Sequence, residues 1–413
     1  MRDSTPDFQD DLRKPGFTSL LDLARWLAAG LVFVTHLRDP LFFGWGHVLG
    51  HDRTLVVKLW FFVTGWAAAA VIVFFVLSGW LVGGSALARL KSGRFDGIDY
   101  AIDRVTRLFV AYWPALLLTL VLDMVGSHLF AGSGLYDHHQ AMLAQKFGGA
   151  GFAADMTRAN FFGSGLMLQT LWVDRFGSNV PLWTISLEFW FYASFGLAAA
   201  GWLSRRNRRG LWLAASLAAL LVLLGVDFLL YAGLWCLGAA ASLVVKPFLR
   251  RPFVALATML ALLIAARLEH GWVDASFTHT MLRDYLAALS FAWVLVSWRG
   301  RRAPLLARIA GLNKFMASFS YSLYLIHFPL MLFILGALFS FGHFTGIASG
   351  YAPTSGEGLM LYGCIIVLVY GAAWLFAALT EQQTWRVRRF LKSRLQRFTP
   401  PAIITAPRLP AAD

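Results

Sequence analysis

The chain has 413 residues, of which 58% are hydrophobic and only 14% charged. A soluble domain of this size carries about 25% charged residues to cover its surface, so most of this surface must face lipid. The formal charge of +14 does not mark a nucleic-acid binder, because the Lys and Arg lie in short runs between apolar stretches, where they set membrane orientation.

A bilayer core needs about 20 apolar residues of helix, and lipid restricts spanning structures to helices or closed barrels. Long Leu- and Ala-rich runs point to helices. The expected fold is therefore all-α: a polytopic bundle of about ten transmembrane helices. The N-terminal MRDSTPDFQDDLRKPGF lacks the apolar run of a secretory signal, so the first span is expected to direct insertion. In chain order the spans are expected at 18–37, 60–83, 108–130, 182–203, 211–228, 229–246, 253–269, 281–298, 317–339 and 358–380. The pair 211–246 is broken only around Asp227–Gly233. One membrane domain covers 1–395, and 396–413 is expected to be a disordered cytoplasmic tail.

With the N-terminus inside, 27 of the 36 Lys and Arg fall on inner segments. That bias predicts both termini in the cytoplasm. Three outer connections are longer than turns: 38–59, 131–181 and 340–357. The second carries His138 and His139, with His128 just before it. No carboxylate or Cys pattern accompanies them, so a solvated loop is expected and no metal site. Cys236 and Cys364 sit in apolar stretches without metal or disulfide spacing.

Charged side chains inside a span are costly and mark candidate sites. Arg25 and His36 are eleven positions apart on the first span, three turns plus about 20°, so they share a face about 16 Å apart along the axis. A guanidinium suits phosphate; an imidazole suits proton transfer near neutral pH. A snorkelling Arg and an interfacial His are the competing explanation. In PLWTISLEFWFY, Thr184, Glu188 and Tyr192 repeat every four residues and form one stripe. Glu188 needs a partner or a polar cavity at that depth, and a structural ion pair would also satisfy it. In the ninth span Ser320, Tyr324 and His327 share a face, where a structural His competes with a substrate-binding one. Arg104 and Arg107 stand one turn apart at the inner mouth of the third span, where they anchor topology or clamp a pyrophosphate. FFVLSGWLVGG (74–84) is a Ser-Gly break that lets helices approach closely.

Together these pieces resemble the acyltransferase 3 family of transmembrane acyltransferases. The matching segments are Arg25 with His36, FFVLSGWLVGG (74–84), RVTRLFVAYWPA (104–115), PLWTISLEFWFY (181–192) and SYSLYLIHFPLM (320–331), in the family's order. The resemblance implies transfer of an acyl group, usually acetyl, from cytoplasmic acyl-coenzyme A to a hydroxyl of an extracytoplasmic or lipid-linked carbohydrate. It implies that Arg25, His36, Arg104, Arg107 and Glu188 are tied to activity; coenzyme A is a polyanion, so Arg25, Arg104 and Arg107 are expected to bind the donor, and His36 and Glu188 to act in transfer. Two departures stand out. The family's paired acids are Glu188–Phe189 here, leaving one carboxylate, and no esterase-like domain is expected after the tenth span.

The reading that follows is a membrane O-acyltransferase with acyl-coenzyme A as donor substrate and no permanently bound cofactor. Its expected partners are a carbohydrate or glycolipid acceptor and the bilayer, and its expected location a bacterial cytoplasmic membrane. Tyr324 and His327 are expected to face the acceptor. His36 would act as general base or as an acyl carrier. The rival reading is a sugar or lipid exporter, but the duplicated halves and paired broken helices common in transporters are not evident.

Overall fold

A computed structural model describes residues 8–147, 150–244, 251–269, 277–301 and 303–396. Among them no strand forms; only isolated bridges join Phe42 with Tyr351 and Gln169 with Val173. Lys246, Arg250, Arg302 and the predicted tail from Arg397 onward lie outside the described residues.

The helix boundaries follow local chemistry. Helix α1 (Pro15–Leu41) opens with Pro15 in its first turn, where a missing N–H costs nothing. Helix α2 (Ala67–Ser78) continues through a π-helical turn, Gly79–Gly83, into α3 (Gly84–Lys91). Helix α4 (Gly97–Leu129) is capped by Asp96, which accepts from the Asp99 N–H at 2.8 Å. Helix α5 spans Trp183–Leu203, and α6 (Arg208–Ala241) is capped by Asn207, which accepts from the Gly210 N–H at 3.1 Å. Then come α7 (Pro252–Glu269), α8 (Phe277–Trp298), α9 (Ser320–Gly342), α10 (Gly356–Leu379) and α11 (Thr384–Gln396).

Six stretches of the described chain are long and apolar enough to cross a membrane: Pro15–Leu41, Leu55–Lys91, Gly97–Leu129, Arg208–Ala241, Ser320–Gly342 and Gly356–Leu395. The protein is a multi-pass helical membrane protein, but the expected count of ten is not confirmed. The spans expected at 211–228 and 229–246 belong to one helical stretch, α6. Its interruption falls at Gly225, whose φ of +80° is open to glycine, and not at Asp227–Gly233. Helices α5, α7 and α8 form where spans were expected yet fall short of that standard. Helix α5 contains Glu188 among Trp and Tyr, α8 contains Arg283 and Asp284, and α7 is short.

Helix α9 is the centre of the bundle: 67% of its apolar stretch is buried, against 11% for α6 at the rim. It packs on α1, α4 and α10. The tightest crossing joins α2 and its π turn to α6. A Cβ on Gly79 would lie 1.9 Å from the Trp235 carbonyl oxygen, and one on Gly238 would lie 2.0 Å from the Val76 carbonyl oxygen. Only glycine permits this approach. The uncharged Ser-Gly motif thereby explains its own spacing.

The connection 131–181, expected to be a solvated loop, is folded onto the bundle. Gln140 donates to the Pro40 carbonyl at 2.7 Å, Lys146 pairs with Asp39, and the Ser178 backbone N–H and hydroxyl both bond Asp123 at 2.7 Å. Apolar Phe147 and Phe152 pack on Phe328, and burying them outweighs leaving the loop solvated. His138 is buried edge-on against Phe152, whereas His139 is exposed beside Asp137. Among the described residues no group of three His, Cys, Asp or Glu is placed to hold a metal ion.

Candidate active site

A cavity of about 300 Å³ opens among α1, α2, α4, α5, α9 and α11. Five of the seven predicted site residues line it: Arg25, Arg104, Arg107, Glu188 and Tyr324. They come from four helices, and two of the periodicities read from the sequence, Arg104 with Arg107 and Thr184 with Glu188 and Tyr192, bring all their members to the lining. Arg104 and Arg107 sit one turn apart on α4. The Thr184, Glu188 and Tyr192 stripe of α5 faces them.

Glu188 is held by hydroxyls. Ser78 donates to it at 2.6 Å and Tyr192 through a short bond, while Trp235 Nε1 donates to Ser78 Oγ at 3.1 Å. Ser78 meets Trp235 where α2 enters its π turn, at the close α2–α6 crossing. Extra helical turns of this kind often mark functional positions.

The cations are not equivalent. Arg107 Nη1 donates to Glu381 Oε1 at 2.9 Å, and the other oxygen of Glu381 accepts from the Ser322 N–H and hydroxyl at 3.1 and 3.0 Å. Arg25 has a long contact to Asp22, at 3.8 Å. The Arg104 guanidinium lies 5.7 and 5.9 Å from the ring centroids of Tyr100 and Tyr192. Its Nε is buried with no hydrogen-bond acceptor among the described residues. A buried charge-bearing donor without an acceptor is costly, and an anionic ligand in the cavity would satisfy it.

His36 and His327 lie outside this lining and pair with each other. His36 Nδ1 is 2.9 Å from His327 Nε2, and the rings stack at 5.2 Å. His327 Nδ1 lies 2.9 and 3.1 Å from the carbonyls of Tyr324 and Leu323. A carbonyl only accepts, so His327 Nδ1 carries the hydrogen. With both rings neutral, His327 Nε2 accepts and His36 Nδ1 donates. The lone pair of His36 is then left at Nε2. This tautomer is assigned from the hydrogen-bond network.

Tyr324 stands between the two centres. Its hydroxyl, 2.8 Å from that of Thr184, lines the cavity, and its carbonyl holds His327. Glu188 and His36 share no hydrogen bond or ion pair among the described residues. The partner that orients His36 is His327, which the sequence reading placed on the acceptor.

Sequence reasoning did not single out Ser78, Glu381 or Arg388. Ser78 was visible only as part of a packing motif. Glu381 falls one residue past an expected span and so reads as a loop, and Arg388 counts among the inner charges. A carboxylate at a span end facing a basic helix mouth was the available signal for Glu381.

A family profile for an acyltransferase domain, acyltransferase 3, matches residues 19–378. No curated protein and no solved structure matches the chain. The matched segment carries both histidines, the α4 arginines and Glu188, and it covers nearly the whole chain; the protein therefore belongs to the acyltransferase 3 family and is a membrane acyltransferase.

Proposed function

We propose that this acyltransferase moves an acyl group, acetyl foremost, from cytoplasmic acyl-coenzyme A to a hydroxyl of an extracytoplasmic or lipid-linked carbohydrate. The observation that carries this reading is the polarity of the site along α1. Guanidinium groups line a cavity at the Arg25 end, and an imidazole with a free Nε2 lies three turns away, beyond Tyr324. The positive-inside bias puts the first end in the cytoplasm and the second at the opposite face. Both termini are then cytoplasmic, in a bacterial cytoplasmic membrane.

In this mechanism Arg25, Arg104 and Arg107 hold the donor phosphates, and the pantetheine arm runs up the cavity past Glu188. His36 Nε2 accepts the proton of the acceptor hydroxyl as its oxygen attacks the thioester carbonyl. The C–S bond breaks, and the proton returns from His36 to the leaving thiolate. His327 keeps His36 in the tautomer that leaves Nε2 basic. Glu188, accepting from the Ser78 and Tyr192 hydroxyls, fixes the polar wall along which the thioester lies.

The test is mass spectrometry of envelope polysaccharides and secreted glycosides from cells carrying the wild-type gene, no gene, or His36→Ala. A mass difference of one acetyl or one succinyl group that disappears in both altered strains is expected. A glycan profile unchanged by deletion, or wild-type acylation by His36→Ala, would overturn the reading.

A further inference from the structure

We propose that helix α11 forms the binding site for the nucleotide end of the donor, with Arg388 shared between that site and the deep cavity. The inference rests on the acyl-coenzyme A reading and adds a place for the donor's charged half. Helix α11 (Thr384–Gln396) lies outside the matched segment 19–378, so nothing in the family match assigns it.

Volume sets the requirement. A cavity of about 300 Å³ is at the small end for a ligand site. An acyl-pantetheine arm takes up a space of that size, so the donor's diphosphate is placed at the mouth, where Arg104, Arg107 and Arg388 line the cavity, and its adenine and 3′-phosphate beyond it. Arg388 is at that mouth. It lines the cavity, and it also lines a shallower basic groove formed on α11 by Trp385, Arg389, Lys392 and Ser393.

The helix is held against the α4 turn that carries Arg104 and Arg107. Arg388 bonds the Thr106 hydroxyl and the Asp103 carbonyl at 3.2 Å each, and Lys392 bridges Asp99 and Asp103 at 3.2 and 3.1 Å. The charges do not balance there. The Asp103 carboxylate faces Arg89, Arg388 and Lys392, at 3.6, 3.3 and 3.1 Å, and Asp99 adds a second carboxylate on Lys392. Two carboxylates leave these three cations in surplus, and Arg104 adds an unsatisfied buried Nε beside them. The surplus suits a polyanion with several phosphates. Next to it stands Trp385, 51% exposed, with the Arg389 guanidinium 4.7 Å from its ring centroid. An exposed indole beside cations is a stacking platform for a purine flanked by phosphates.

The probes are adenosine 3′,5′-bisphosphate, which is the nucleotide end alone, and two donors, acyl-coenzyme A and acyl-4′-phosphopantetheine. The full chain is placed in nanodiscs with neutral or with anionic lipid. Arg388→Gln removes the shared cation. Arg389→Gln leaves the bridges of Arg388 and Lys392 to Asp103 in place and guards against a helix that simply detaches. Each variant is expected to bind the bisphosphate about tenfold more weakly in both lipids, the scale of one charge-assisted contact. For each, kcat/KM for acyl-coenzyme A should fall by a similar factor relative to the truncated donor.

Failure of the wild type to bind the bisphosphate overturns the site, as does equal binding by wild type and Arg389→Gln. A loss that appears only in anionic lipid also overturns it, because α11 would then be reading headgroups. Bisphosphate binding that depends on Arg388 and Arg389, without transfer from any acyl-coenzyme A, would leave the nucleotide site standing and remove the donor assignment instead.

Discussion

The role of His327 can be separated from packing by two substitutions that each keep half of its hydrogen bonding. Asn places an amide nitrogen near the former Nδ1, where it can still donate to the Tyr324 and Leu323 carbonyls, 2.9 and 3.1 Å from the native ring. It provides nothing at the former Nε2, so the His36 Nδ1 hydrogen loses its acceptor, now 2.9 Å away. Gln does the reverse: its amide oxygen reaches the Nε2 position and accepts from His36, while the bonds to the two carbonyls are lost. Leaving a buried donor unsatisfied costs about 1–3 kcal/mol. Converted at 1.36 kcal/mol per factor of ten, His327→Asn should lower transfer by roughly 5- to 150-fold. His327→Gln should stay within about tenfold of wild type, because the two carbonyls also serve as helix acceptors and lose little. Both variants lose ring packing against Phe33 and Phe328, so similar drops in Tm are expected. The assay is the initial rate per folded molecule in proteoliposomes, with Tm measured on the same sample. A purely structural His327 predicts the opposite order, since Asn keeps the native bonds to α9. Activity of His327→Asn equal to or above that of His327→Gln would refute the tautomer argument.

Glu188→Gln retains the volume and can still accept from Ser78 and Tyr192, so Tm should change little while transfer falls about 10²-fold or more; a destabilised but fully active protein would sink the assignment. Arg104→Ala should weaken donor binding about tenfold with little loss of stability, whereas Arg107→Ala strands the buried Glu381 carboxylate. Because the Arg107 side chain is 34% exposed, that stability loss should be about 2 kcal/mol, below the 3–5 kcal/mol of a fully buried pair. Adding Glu381→Gln should recover most of it in a thermal-melt double-mutant cycle. Gly79→Ala drives a methyl into the Trp235 carbonyl, 1.9 Å from the built Cβ, and should cost about 1–3 kcal/mol or more. It should also displace Ser78 from Glu188, so wild-type Tm and activity together would show that the crossing is looser than described.

Much of this protein was legible in one dimension. Composition required a lipid-solvated chain, and helical spacing put Thr184 with Glu188 and Tyr192 on a common face, where all three line the cavity. That inference depends on distances of about one to two helical turns, which the backbone sets; the longer Arg25 and His36 spacing ends with Arg25 on the cavity and His36 in the histidine pair. What lies between helices was not legible. That Arg107 pairs with Glu381, 274 positions away, and His36 with His327, 291 positions away, follows from which helices are neighbours, and no local rule supplies that. The count of ten spans is not confirmed, for a related reason. A residue such as Glu188 lowers the apolarity of its helix, and only the cavity it faces shows why the helix tolerates it. The division of the site into an arginine-lined cavity and a histidine pair, with Tyr324 between them, was decided by the packing of α9 at the centre of the bundle, because burial on all sides lets one helix serve both.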